Sequence, residues 1–347
     1  AKLHYKDEAA LKQLQILSHM TTVHGITTIA GNEQQLVKIL EWLDKEYENY
    51  NKQNYWDENT FESVKNADID GNVFSHPMRF VKQYVAKLYQ EEKQVVLEEL
   101  FEPTDGFYKN DKALEAMKTY LKAGPKNVLE AYAIKHYQFN LDDILYYQGM
   151  MALYNNDITK AKTYFTQTKL AKESAFPLNP FNSGIVDCYD CDIEKVKKPS
   201  ISVMTMVDKM LEMQQKINNN EDVYTNALLL GNAFYNISNY GTGRYFYYQS
   251  KILDEYGTYV SDGNKGLLKN SLLPHQYYKL AQKNAILDEQ KAKIAYMIAK
   301  TERNMYYFNE YDVEGWGYNS KNLPDFKAWN GFKELKQYSN TKFYQQA

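Results

Sequence analysis

Apolar side chains recur every three or four positions over most of this chain, the period of a helix with one buried face. After Gly31, Asn32 is placed as an N-cap with Gln35 three residues on, and Leu36, Ile39, Leu40, Leu43 and Tyr47 then fall on one stripe. Phe80, Tyr84 and Leu88 stand four apart, with Val81 and Val85 widening the face. That spacing predicts one helix from about His76, entered through Pro77, to Phe101. Val203, Met206, Val207, Met210, Leu211 and Ile217 predict another, ended by Asn218-Asn219-Asn220. Sustained alternation of period two, the mark of a half-buried strand, is not found.

A second, longer period lies over the first. Gly149, Ala161 and Phe165 are spaced 12 and 4 apart, and Gly231, Gly243 and Tyr247 repeat those spacings 82 residues later. Tetratricopeptide (TPR) repeats need a small residue where one helix crosses its partner, then a small and an aromatic residue one turn apart on that partner. The first unit, Leu145 to Leu170, reads as helix, an Asn155-Asn156-Asp157 turn, and helix. The second, Ala227 to Leu253, takes Asn239-Tyr240-Gly241 as its turn. A third pair is expected at Tyr277 to Ala285 and Lys291 to Tyr307, with Ala281, Ala285, Ala292, Ala295 and Ala299 as its close-packing face. The expected fold is therefore all-α, a TPR-like solenoid of helical hairpins with degenerate repeats. It divides into an N-terminal helical region, 1–140, and a repeat region, 141–347, interrupted by a long loop over 176–200. That loop, rich in proline, is the expected boundary between two halves.

Composition agrees with helices. Among 347 residues there are 16 Gly and 8 Pro, too few for a many-turned β protein. Tyr occurs 32 times, with doublets at Tyr146-Tyr147, Tyr247-Tyr248, Tyr277-Tyr278 and Tyr306-Tyr307. A tyrosine buries a flat ring while its hydroxyl reaches a polar edge, which suits the seams between helices. The 41 basic and 44 acidic residues leave a net charge of −3, which gives no electrostatic case for nucleic acid as a partner. No apolar run approaches the roughly 20 residues of a membrane span. The chain begins at Ala1, so a processed chain or a fragment is expected, with any targeting segment or lipid anchor outside it.

Candidate chemistry is sparse. Cys188 and Cys191, in Asp187-Cys188-Tyr189-Asp190-Cys191-Asp192, are the only cysteines. Their C-x2-C spacing admits a disulfide pinning the loop, half of a zinc site, a redox pair, or two plain thiols. Zinc would need two further ligands. A redox pair would need a helix N-terminus to lower the thiol pKa, where the three flanking acids raise it. Asn66, Asp68 and Asp70 with Gly71 resemble the first half of a calcium loop, but Pro77 stands where the bidentate Glu belongs. An Asp/Gly turn is the alternative. Glu98-Glu99 and Asp142-Asp143 are adjacent in sequence and diverge on a helix, so neither is an acid/base pair. Trp316, Tyr318 and Trp329 could stack on sugar rings or simply anchor a loop. No cofactor is expected beyond the zinc or calcium options, and no catalytic set emerges.

Four strings carry a resemblance. They are Asn179-Pro180-Phe181 with Ile185 to Asp192; Leu229 to Gly241 (LLGNAFYNISNYG); Ile298 to Asn304 (IAKTERN); and Tyr338 to Tyr344 (YSNTKFY). Together, over roughly residues 140 to 347, they resemble a large family of Bacteroidota envelope proteins, often lipoproteins with TPR-like helices. Family members usually carry Cys where this chain has Thr301. The resemblance implies export to the cell envelope, periplasm or outer-membrane surface, and favours the disulfide. It implies no catalytic residues. The function expected is a scaffold that binds another envelope protein. A glycan-binding surface lipoprotein of the nutrient-uptake type is second, and a C-x2-C redox or metal-dependent protein third.

Overall fold

The structure is a computed structural model, and it describes residues 2–53, 72–104, 106–182, 201–256, 260–309 and 329–347, with side chains except at 2–9, 52 and 53. Most of it is helix, with one two-residue antiparallel strand pair, so the protein is all-α. No helix among the described residues is long and apolar enough to cross a membrane. The chain forms two compact units, residues 1–141 and 142–347. The division falls at Leu141, upstream of the proline-rich loop.

In the first unit, α1 (Lys2–His24), α2 (Glu33–Gln53) and α3 (Ser75–Glu91) lead into α4 (Val95–Phe101), a 3-10 turn (Phe107–Lys109), α5 (Asp111–Ala123) and α6 (Val128–His136). Leu36, Ile39, Leu40 and Leu43 are buried, as their stripe predicts. The carbonyl of Asn32 accepts from Gln35 and Leu36 N–H, but its side chain turns back to donate to the Thr28 carbonyl at 3.0 Å. Asn32 thus opens α2 through its backbone rather than by capping it.

The single helix expected from His76 to Phe101 is two. Lys93 adopts a left-handed φ of 59°, its N–H bonds the Gln90 carbonyl, and the Gln94 N–H reaches back to Tyr89. That pair of bonds is a Schellman termination, usually built on Gly. With Lys there, nothing in the apolar period marks the stop. The break lets α4 fold against α3 and bury Leu97, Leu100 and Phe101.

In the second unit, α7 (Leu141–Tyr154) and α8 (Ile158–Phe165) form the first expected pair. The turn between them uses the same device as Lys93, with Asn156 at φ 62°. Asp157 then caps α8 by accepting from Lys160 N–H. After α9 (Leu170–Glu173), strands β1 (Ala175–Phe176) and β2 (Ile201–Ser202) pair and hold together the two ends of the long loop. Ser202 caps α10 (Val203–Asn218), whose Val203, Met206, Val207 and Met210 are buried. The helix ends where the asparagine run predicts, at Asn220 with φ 57°. Next come α11 (Val223–Asn236), α12 (Tyr245–Tyr248), α13 (Asp262–Leu268), α14 (Leu272–Lys283), α15 (Asp288–Tyr307), α16 (Asn330–Leu335) and α17 (Lys342–Gln346).

The glycines show which helices cross closely. A Cβ on Gly149 would lie 2.7 Å from the Phe165 ring, so α7 and α8 meet as the spacing predicts. On Gly231, however, it would meet the ring of Tyr278 at 2.5 Å rather than Tyr247. The partner of α11 is α14, and the expected second helix of that hairpin is only the single turn α12. The reason lies at Gly241 and Gly243, where the chain doubles back on the end of α11. A Cβ at Gly241 would sit 2.2 Å from Asn236 Cα, and Gly243 N–H bonds the Asn236 carbonyl.

Candidate functional site

The described parts of the first and third strings meet the second on α11. Asn232 donates to the Phe181 carbonyl at 2.9 Å, and Asn236 donates to the carbonyls of Pro180 and Asn182, both at 2.8 Å. The Tyr278 hydroxyl donates to Asn232 Oδ1 at 3.0 Å. From α15, Asn304 donates to the Tyr235 hydroxyl at 3.2 Å, and the Lys300 ammonium stands 4.7 Å above the Tyr235 ring. The α15 side chain Glu289 accepts from the backbone N–H of Lys342 and Phe343, bringing the last string against the same helix layer. Each carboxamide supplies both a donor and an acceptor inside the core, where an unpaired polar group costs about 1–3 kcal/mol. This network fixes the turn 179–182 onto a helix face. Its role is architectural.

Tyrosine does the same work on a wider scale. Tyr146 is fully buried and donates to the Phe246 carbonyl at 2.7 Å, and Tyr154 donates to Ile237 at 2.7 Å. Tyr247, buried, bonds Asn239 Oδ1 at 3.1 Å. Burial drives the phenol pKa of Tyr146 and Tyr154 well up, so both stay neutral donors. Gly243 packs with its Cα near the Phe176 ring, and Ala161 is fully buried beside Phe165.

Of the sequence candidates, Cys188 and Cys191 lie outside the described residues, as do Asn66, Asp68, Asp70, Trp316 and Tyr318. Asn72, which closes the calcium-like run, is buried and donates to Tyr47 and Asn51 while accepting from Phe74 N–H. Its carboxamide is therefore committed to the protein. Trp329 is half-buried at the start of α16, its ring 5.6 Å from that of Tyr306. His275 donates or accepts at Nδ1 with the Thr301 hydroxyl at 2.8 Å, and burial lowers its pKa. Thr301 also donates to the Ile298 carbonyl, so the histidine Nδ1 carries the proton and Nε2 is the acceptor end. Asp142 and Asp143 diverge as their adjacency predicts. Asp142 accepts from Lys169 and Leu170 N–H, while Asp143 pairs with Lys251 at 3.4 Å. No group of three or more His, Cys, Asp or Glu is poised to hold a metal among the described residues.

The first unit holds a feature that sequence reasoning passed over. A cleft of about 460 Å³ is lined by Val95, Glu98, Glu99, Thr104, Phe107 and Lys112, among others. Glu98 and Glu99 both border it, yet with different partners. Glu98 accepts from Gln90 at 2.8 Å. Glu99 is 2% exposed; its Oε2 accepts from Thr104 N–H at 2.9 Å and from the Thr104 hydroxyl at 3.1 Å. Its Oε1 accepts from the Tyr137 hydroxyl at 3.3 Å, and Tyr137 in turn shares a 2.5 Å bond with Tyr108. Desolvation raises the Glu99 pKa to about 7, against the partial relief of the Thr104 and Tyr137 bonds. Such a carboxyl can take up or release a proton near neutrality. The signal was available in principle. Five of the seven residues of VVLEELF are apolar, so a helix over them is apolar nearly all round and must bury at least one Glu.

Comparison with known proteins places the chain beside none of them: no family model matches, no curated protein matches, and no solved structure matches.

Proposed function

We propose that this protein is a TPR-like helical-repeat scaffold that binds another protein of the cell envelope rather than turning over a substrate. The observation that carries the reading is the recurring use of glycine under an aromatic ring or a helix backbone at three helix crossings of the second unit. Gly149 meets Phe165, Gly231 meets Tyr278, and a Cβ on Gly331 of α16 would lie 2.6–2.8 Å from the α15 backbone at Ala295 and Ala299. Helix pairs stacked at such crossings present extended surfaces of side chains, the usual recognition device of repeat proteins. The envelope location rests on the four-string resemblance. A pull-down from envelope extract with the full chain as bait is expected to recover one partner in stoichiometric amount. Recovery of no stoichiometric partner rejects the scaffold.

A glycan-binding surface protein is the second reading, favoured by the half-buried Trp329 beside Tyr306. It requires saturable binding to at least one sugar on a glycan array, weakened by Trp329→Ala. Flat titrations throughout remove it.

A further inference from the structure

We propose that Glu99 is a proton-operated latch on the wall of the first unit's cleft, closed when its carboxyl is protonated and released when it ionises. Three observations lead there. The wall is formed by Thr104, Gly106 and Phe107, and Thr104 is tied to α4 by two hydrogen bonds that both end on one oxygen of Glu99. The carboxyl lies 2% exposed, and its hydrogen-bond partners are a peptide N–H and two hydroxyls, without a cation. A buried carboxylate without a counter-charge is disfavoured against the same group in water. Beyond the latch the chain is open to solvent through the cleft, so the cheapest relief for the charge is local: Thr104 lets go and water reaches the carboxylate.

Thr104 and Tyr137 donate to the carboxylate and favour its ionised form, but desolvation outweighs them. The other groups around Glu99 do not cancel that drive. Glu98, one residue back on α4, adds like charge. Tyr137, beyond α6, and Tyr108, in the 3-10 turn, are neutral hydroxyls joined to each other. Lys112 of α5 lines the cleft but makes no bond to Glu99, and Glu102, at the end of α4, is bound by Gln83. Protonation has a place to go: with the proton on Oε1, Glu99 donates to the Tyr137 oxygen while Tyr137 donates to Tyr108, and Oε2 still accepts from Thr104. The closed state therefore satisfies the neutral acid fully.

Linkage sets the direction. The closed state holds the carboxyl at a pKa of about 7, and release into solvent returns it toward the ordinary 4.5. Opening is then independent of pH below about 4.5, rises by up to tenfold per pH unit to about pH 7, and levels off above. The test is amide hydrogen exchange on the full chain from pH 5 to 8, corrected for intrinsic rates. Protection of the Thr104 amide is expected to fall with that slope and plateau, and to stay well below that of the Tyr132 amide, inside α6, which exchanges only when the unit unfolds. Glu99→Gln is expected to flatten the Thr104 profile. A flat wild-type profile, the same slope in the Gln variant, or a Thr104 amide as protected as that of Tyr132 overturns the latch. Should the variant not fold, carbon-13 titration of glutamate carboxyls in the wild type decides. One carboxyl with a midpoint near 7, moving together with the Thr104 amide, supports the latch. All carboxyls titrating near 4.5 rejects it.

Discussion

The two units bury polar groups in different ways. Around α11 the second relies on neutral ones: Asn232, Asn236 and Asn304 sit inside the core with carbonyls and tyrosine hydroxyls as partners, while its buried carboxylate Asp143 is paired with Lys251. The first buries carboxylates: Glu99 accepts from Thr104 and Tyr137, and Glu130 from Tyr120, Lys126 N–H and Asn127. A carboxamide meets its partners equally well at any ordinary pH. A carboxyl carries its solvation cost only when ionised. The carboxamide network on α11 should thus be indifferent to pH, and the Glu99 site should not.

The comparison can be broken hardest at Gly241. A methyl there strikes the α11 backbone, which cannot move aside without dismantling the network at Asn236. Gly241→Ala is expected to destabilise the second unit by roughly 3 kcal/mol, read as a lower urea midpoint, equally at pH 5 and pH 8. Next comes Glu99→Gln. The Glu99 pKa is about 7 in the folded chain against 4.5 for an ordinary glutamate, so the folded chain binds more protons. Its contribution to stability is full below about pH 4.5, declines as pH rises to about 7, and is flat beyond. The Gln variant should match the wild type near pH 4 and exceed it at pH 8 by up to about 3 kcal/mol, at about 1.4 kcal/mol per pKa unit. Equal urea midpoints at pH 8 would remove the contrast between the units.

Asn232→Ala removes the bonds to the Phe181 carbonyl and the Tyr278 hydroxyl. A loss of about 2 kcal/mol is expected, unchanged between pH 5 and 8 in parallel denaturation curves. The smallest effect belongs to Lys162 and Asp208, whose 2.8 Å ion pair is more than two-fifths exposed on both sides. Asp208→Asn should shift stability by less than about 0.5 kcal/mol, and less still in high salt.

How much of this was legible in the sequence differs by residue. The stripe Leu36 to Leu43 and the run Val203 to Met210 were legible because helical period is written in spacings of three and four. Asparagine stops at Asn156 and Asn220 were legible because Asn tolerates a left-handed φ. Lys93 makes the same stop without such a mark, so the break between α3 and α4 was not. In the candidate site, Glu99 was visible only as one of two adjacent acids. Which of them turns inward depends on where Thr104 and Tyr137 arrive from outside the helix.

Gly149 and Gly231 mark the boundary most clearly. Both carry the same local spacing to a small and an aromatic residue, and the sequence by itself determined that each would sit at a close helix crossing. Only the tertiary structure decided the ring that fills the space: Phe165, 16 residues on, for the first, and Tyr278, 47 residues on, for the second. Spacing governs which face of a helix is apolar, because backbone geometry repeats with each turn. The choice of partner is made by packing among all the helices at once, and at Gly231 the backbone fold at Gly241 removed the nearer one.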